Sequence, residues 1–370
     1  MTKTKVLLSV AAASVLALNG CGGGGSTSTS TTPSASSSAF ERPADCTAYT
    51  TPTDPTLPST ITECTLLTAD TTWIIDGLIT VSGTTLKIEP GTTLAGINGT
   101  ASNTSYMVID RDAKIDAQGT EADPIIFTSA DVAVDGKAAA VGQWGGLTII
   151  GNAANDQVAP YEVNADFVPG KTDLADNSGV LTYVKVLNSG ITMDVDKEIN
   201  GLSLVGVGSG TTIENITVEK SDDDCVELWG GTVNLTNVTV SECTDDQFDI
   251  DDGYSGTVVG LDITQTTGNA AIEMSGTTAA TFDGFTIVQS GSSKEGGIYF
   301  KNGLGIGGHF LNGTVTDNTV DAFGAIHSND ADVDTSKISF VNVVATGTDS
   351  DDRFTGPAGD AIEAVYNTQP

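Results

Sequence analysis

With 370 residues, the chain is long enough for two or three ordinary domains or for one repeat fold. It carries 15 basic and 48 acidic side chains, a formal charge of −33, which excludes binding nucleic acid or anionic lipid through a basic face and favours cations as ligands. Hydrophobic residues make up 39 % and charged ones only 17 %, so wholesale disorder is excluded too.

The N-terminus reads as an export signal. Lys3 and Lys5 precede an apolar run at 6–18 that is too short to cross a bilayer, and residues 1–20 are expected to be removed. Leu18, Asn19 and Gly20 before Cys21 resemble the lipobox of bacterial lipoprotein signal peptides. That resemblance implies cleavage before Cys21 and acylation of this cysteine. Gly22 in place of Asp implies sorting to the outer membrane, facing the periplasm or the surface. The chain would then keep 13 basic against 48 acidic side chains. Residues 21–42 form a Gly/Ser/Thr tether without chemistry of its own.

Residues 43–72 are expected to form an N-terminal cap, in which Cys46 and Cys64 flank a Pro/Thr-rich stretch. In an oxidising compartment they are expected to pair and to staple an N-terminal cap. Cys225 and Cys243 remain, and sequence alone does not choose among the possible connectivities.

Residues 73–370 repeat. One column reads apolar, any, Asn-or-Gly, apolar, Thr-like, apolar, with fourth positions at Ile216, Val238, Leu261, Phe285, Gly313 and Val343. A second column lies about eleven residues further on. It has Val226, Phe248, Ile272, Ile298, Ile326 and Ile362 at equivalent places, with Leu147 and Leu202 as earlier members. Each unit offers two short alternating segments and cannot bury its own apolar positions, so it must stack on its copies. An all-β parallel β-helix of about 20–30-residue coils fits, because identical positions then stack about 4.8 Å apart. Propeller blades need a repeat about twice as long.

Several runs carry a resemblance: DRDAKIDAQGT at 110–120, DPIIFTS at 123–129, WGGLTIIGN at 144–152, NGLSLVGVG at 200–208, DDDCVELWGGTVNL at 222–235 and DDQFDIDDGYSG at 245–256. Together they resemble a family of bacterial lipoproteins with a right-handed, pectate-lyase-like β-helix. The resemblance spans about residues 70–345 and implies a fold rather than a reaction. Cys225 departs from it, since a small residue usually stands there.

The chemistry concentrates in residues 222–252, which hold ten acids and no base. Aligning the second column places Asp223, Asp224 and Glu227 under Asp245, Asp246 and Asp249, with Asp251 and Asp252 following. The alternation turns Val226 and Phe248 inward and Glu227 and Asp249 outward, and Glu273 extends that line. Carboxylates on adjacent rungs repel by about 1 kcal/mol in water and several-fold more near a protein surface. Hard oxygens at this density suit Ca²⁺, which takes about six to eight of them. Zinc is disfavoured, because His309 and His327 are the only histidines.

Trp144 and Trp229 each precede Gly-Gly; an exposed indole there could stack on a sugar, although turn packing explains the pattern better. The chain has no GxSxG, P-loop or HExxH motif. Asp245-Asp246-Gln-Phe-Asp249, with Asp223 a coil earlier, is similar to the calcium core of certain β-helix polysaccharide lyases. That similarity makes Lys294, two coils on, the candidate base. Against it, the strong negative charge repels polyuronates, and Lys294 lies in a Gly/Ser loop. The sequence therefore points to a calcium-binding scaffold or binding lipoprotein, with a glycan or an outer-membrane protein as partner. A calcium-dependent uronate lyase is the alternative.

Overall fold

Each coil bends where its first column carries Asn or Gly. Asn215, Asn237, Gly260, Gly284, Asn312 and Asn342 all have φ between 52° and 73° in the computed structural model. Gly reaches this left-handed region freely and Asn tolerates it, which is why the column admits only these two. Asn237 Nδ2 donates to Asn215 Oδ1 (3.1 Å) and Asn342 Nδ2 to Asn312 Oδ1 (3.0 Å), so the bends also form a side-chain ladder.

The structure describes residues 46–99, 103–154, 160–194, 197–291, 293–302, 305–319, 323–347 and 353–370. The expected signal peptide 1–20, the expected lipidation site Cys21, the expected tether 21–42 and the first residues of the expected cap lie outside them. The chain divides into two units, Met1–Ala39 and Phe40–Pro370, and all described residues belong to the second.

That unit is a parallel β-helix. An 11-stranded and a 16-stranded parallel sheet run along it, and the antiparallel hairpin Ile191–Asp194/Lys197–Ile199 projects from it. The expected register holds. Ile216 pairs with Val238, Val238 with Leu261 and Leu261 with Phe285. In the other sheet, Leu147, Leu202, Val226, Phe248, Ile272, Ile298 and Ile326 pair in succession. All of these face a fully buried core. Rings stack along the core from Phe282 to Phe310 to Phe340 at 5.3–5.4 Å between centroids, and Tyr366 meets Phe340 edge-on.

Two expectations change. The rung beyond Ile326 is Phe354, not Ile362. Ile362 sits in the helix Gly359–Tyr366, where it and Tyr366, one turn apart, are buried against the last coil. Ile362 matched the column by coincidence, as part of a helical apolar spacing. The boundary at residue 73 also falls inside the solenoid. Thr60–Ile61 and Thr65–Leu67 already pair in parallel with the coil that follows. Their strands are too short to stand out in a Pro/Thr-rich stretch. The structure joins Cys46 to Cys64, and Cys225 to Cys243.

A long insert, residues 151–178, separates strands Leu147–Ile150 and Gly179–Thr182. Its Tyr161, Val163 and Phe167 cover the outer side of the 11-stranded sheet with Tyr106, Val108, Ile150 and Val205, forming a second small core. Strands beneath it are therefore buried on both faces.

Candidate functional site

Where the insert stops covering the sheet, the same outer column turns acidic. Thr148 pairs with Ser203, Ser203 with Glu227, Glu227 with Asp249, and Asp249 with Glu273. Thr148 still lies under the insert, donating to Tyr161 Oη at 3.2 Å. One rung past Ser203, a pocket of about 400 Å³ opens. Its floor is Asp223, Asp224, Glu227, Asp245, Asp246 and Asp249, beside Asp222, Thr244 and Lys301. Glu162 from the insert and Thr192 and Glu198 from the hairpin form the wall. Nine of twelve lining residues are thus acids, facing one lysine.

The turn before each acidic strand explains part of this set. The main-chain N–H of Asp224 donates to Asn200 Oδ1 (3.2 Å), that of Asp246 to Asp224 Oδ1 (2.8 Å), and that of Ala270 to Asp246 Oδ1 (2.5 Å). One oxygen of each side chain therefore caps the next coil. Asn200 Nδ2 also reaches the Glu227 carboxylate, and Asn269 Nδ2 reaches that of Asp245.

These outward side chains are not solvated. Asp224, Glu227, Asp246 and Asp249 are each 8 % exposed or less, and Glu273 only 1 %. Burial, reinforced by neighbouring carboxylates, raises Asp223 to about 8 and holds Asp224, Glu227, Asp246 and Asp249 well above the usual carboxylate range. Glu273 is also raised by burial, while Lys301 Nζ, 2.5 Å from its Oε1, pulls the other way. Burial disfavours the Lys301 charge, but Glu273, Asp249 and Asp246 outweigh it and raise its pKa. Asp249 Oδ1 is buried without any hydrogen-bond partner.

Among the described residues, ligand oxygens gather in three groups, each within 4.8 Å: Asp223, Asp224 and Asp245; Asp224, Glu227 and Asp249; Asp246, Asp249 and Glu273. The six acids aligned by register therefore come together, and Glu273 joins them. Asp251 and Asp252 do not. They stand at the far end of the strand Phe248–Asp251, outside the pocket lining, where Asp251 accepts from the Asp252 N–H. Lys294 is exposed and does not line the pocket; Lys301 does. Trp144 is fully buried, donating to Leu187 O at 2.9 Å, so it offers no face to a sugar. Trp229 packs edge-on against Tyr161 as part of the core under the insert. Both indoles serve packing. Sequence reasoning missed Glu162 and Glu198 because the insert and hairpin stand outside the repeat.

A family model described as a pectate-lyase like beta helix domain matches residues 59–367. No curated protein matches the chain. Among solved structures, the enzymatically active domain of tailspike protein 2 from bacteriophage CBA120 is similar over 77 % of this chain and 39 % of its own, at 15 % identity and a TM-score of 0.37. The chain thus spans about two fifths of that domain. The A-module of a mannuronan C-5 epimerase from Azotobacter vinelandii is similar over 78 % of each chain, at 9 % identity and a TM-score of 0.30.

Proposed function

The chain belongs to the pectate-lyase-like β-helix family, and from that premise we propose that it is a calcium-loaded binding module, lipid-anchored at Cys21 to the outer membrane, whose acidic pocket engages glycans. The observation that carries the reading is Asp249 Oδ1, a buried carboxylate oxygen with no partner, aimed into a pocket of further carboxylates. An uncompensated buried charge costs several kcal/mol, so a group in this position calls for a counter-ion. The donors are oxygens only, and the nearby cysteines are bonded to each other, which fits a hard cation and not zinc.

Asp223, Asp224, Glu227, Asp245 and Asp249 would hold the ion. Bound there, calcium supplies a positive centre for glycan oxygens on a face that otherwise repels acids. Binding fits this pocket better than elimination. Lys301 is held protonated by Glu273, and Lys294 does not line the pocket, so neither lysine fits the role of a base.

The test is a panel of acidic and neutral polysaccharides offered to metal-free and calcium-loaded protein, reading binding and unsaturated-product absorbance together. Calcium-dependent binding without new absorbance is expected. Binding indifferent to chelation would contradict the reading. Absorbance that vanishes in Lys294→Ala or Lys301→Ala would replace it with a lyase.

A further inference from the structure

How many ions the pocket takes follows from which carboxylates are shared. Asp224 belongs to two of the three oxygen groups, and Asp249 to two. The group of Asp246, Asp249 and Glu273 already has a cation of its own, since Lys301 Nζ lies 2.5 Å from Glu273 Oε1. The other two groups have no lysine or arginine among the residues lining the pocket beside them except that same Lys301. We propose that the pocket binds two divalent cations bridged by Asp224, one among Asp223, Asp224 and Asp245 and one among Asp224, Glu227 and Asp249, while the Lys301 ammonium occupies the third position.

The inference rests on the calcium reading and adds number and arrangement to it. Charge favours two ions over one. The two groups without a lysine hold five carboxylates between them, so one divalent ion leaves most of their charge buried and two leave little. Asp249, whose Oδ1 is buried without a hydrogen-bond partner, belongs to the second and third groups and not to the first, so a cation confined to the first would leave that oxygen to the second ion or to Lys301. Volume permits both ions with waters, at about 30 Å³ per water in a pocket of about 400 Å³. Two neighbouring cations repel, and a carboxylate shared between them offsets that repulsion.

The ladder supplies a variant that removes the bridge and keeps the fold. Asn200 makes, one rung earlier, the hydrogen bond that Asp224 makes to the next coil, so Asp224→Asn retains the acceptor. Calcium chloride is titrated into metal-free full-length protein, with stoichiometry read by native mass spectrometry and calorimetry and β content by circular dichroism. Wild type should take two ions. Asp223→Asn should lose one step and keep the other, Asp224→Asn should weaken both, and Lys301→Ala should admit a third ion. A single ion on wild type overturns the two-ion arrangement and leaves the calcium reading standing. No ion at all overturns both. Two ions on Lys301→Ala, unchanged from wild type, overturn the place given to the lysine, and a loss confined to one step in Asp224→Asn overturns the bridge.

Discussion

Two side-chain ladders climb this solenoid, one neutral and one charged. At the bend through Asn215, Asn237, Gly260, Gly284, Asn312 and Asn342, amides and glycines meet a backbone requirement, and Asn237 donates to Asn215 and Asn342 to Asn312. At the turn through Asn200, Asp224 and Asp246, every member accepts a main-chain N–H from the following coil. The first member does so as an amide, so the hydrogen bond does not need the charge. Burying the two carboxylates raises their pKa values and costs stability unless something compensates. The charge at the second ladder is therefore surplus to the fold, and surplus buried charge is what separates a ligand position from a structural one.

The neutral ladder breaks at the larger expense. Asn237→Val puts a β-branched residue at φ 55° and removes the bond to Asn215. The left-handed cost of about 1–2 kcal/mol and a hydrogen bond of about 0.5–1.5 kcal/mol give a loss of about 2–3 kcal/mol in denaturant unfolding. The charged ladder responds to chemistry instead of shape. In metal-free protein Asp224→Asn should melt above wild type, because it removes repulsion and keeps the acceptor. Asp224→Ala strands the Asp246 N–H and should fall about 1–3 kcal/mol below Asp224→Asn.

Acid should sharpen the contrast further. A carboxylate whose folded pKa is raised adds stability below its unfolded value near 3.8 and loses it as pH rises through the folded value, about 8 for Asp223. Metal-free protein should therefore melt higher at pH 5 than at pH 8.5. Calcium prefers the ionised form, so the stabilisation it adds should grow over the same rise in pH. A melting temperature of the metal-free protein that falls on acidification through this window would contradict the burial of these groups.

Much of this was legible in the sequence because a solenoid writes its register into its repeat. The spacing from Val226 to Phe248 placed Glu227 beside Asp249, and alternation turned both outward. What the repeat does not encode was not legible. Glu162 and Glu198 reach the pocket from an insert and a hairpin with no counterpart in other coils. Alternation gives outward but not how far a side chain is covered, and those walls leave Asp249 only 8 % exposed. Lys301 follows the strand Gly296–Phe300 and pairs with Glu273 across coils, while Lys294 drew attention by sequence spacing alone. Ile362 shows the opposite error, a column match inside a helix that closes the core.

The central claim, that the surplus charge exists for a divalent cation, is tested most directly by the melting temperature of metal-free full-length protein. Calcium chloride and sodium chloride are compared at equal ionic strength, in wild type and in Asp224→Asn/Asp249→Asn, which removes the bridge and a carboxylate of the second group. A ligand bound only by the folded state adds about 2.7 kcal/mol at a hundredfold excess over its Kd. The account predicts a rise of several degrees with calcium that sodium does not reproduce, and its loss in the double variant with β content unchanged. Equal responses to the two salts, the signature of simple screening, or a calcium-specific rise that survives in the double variant, would contradict it.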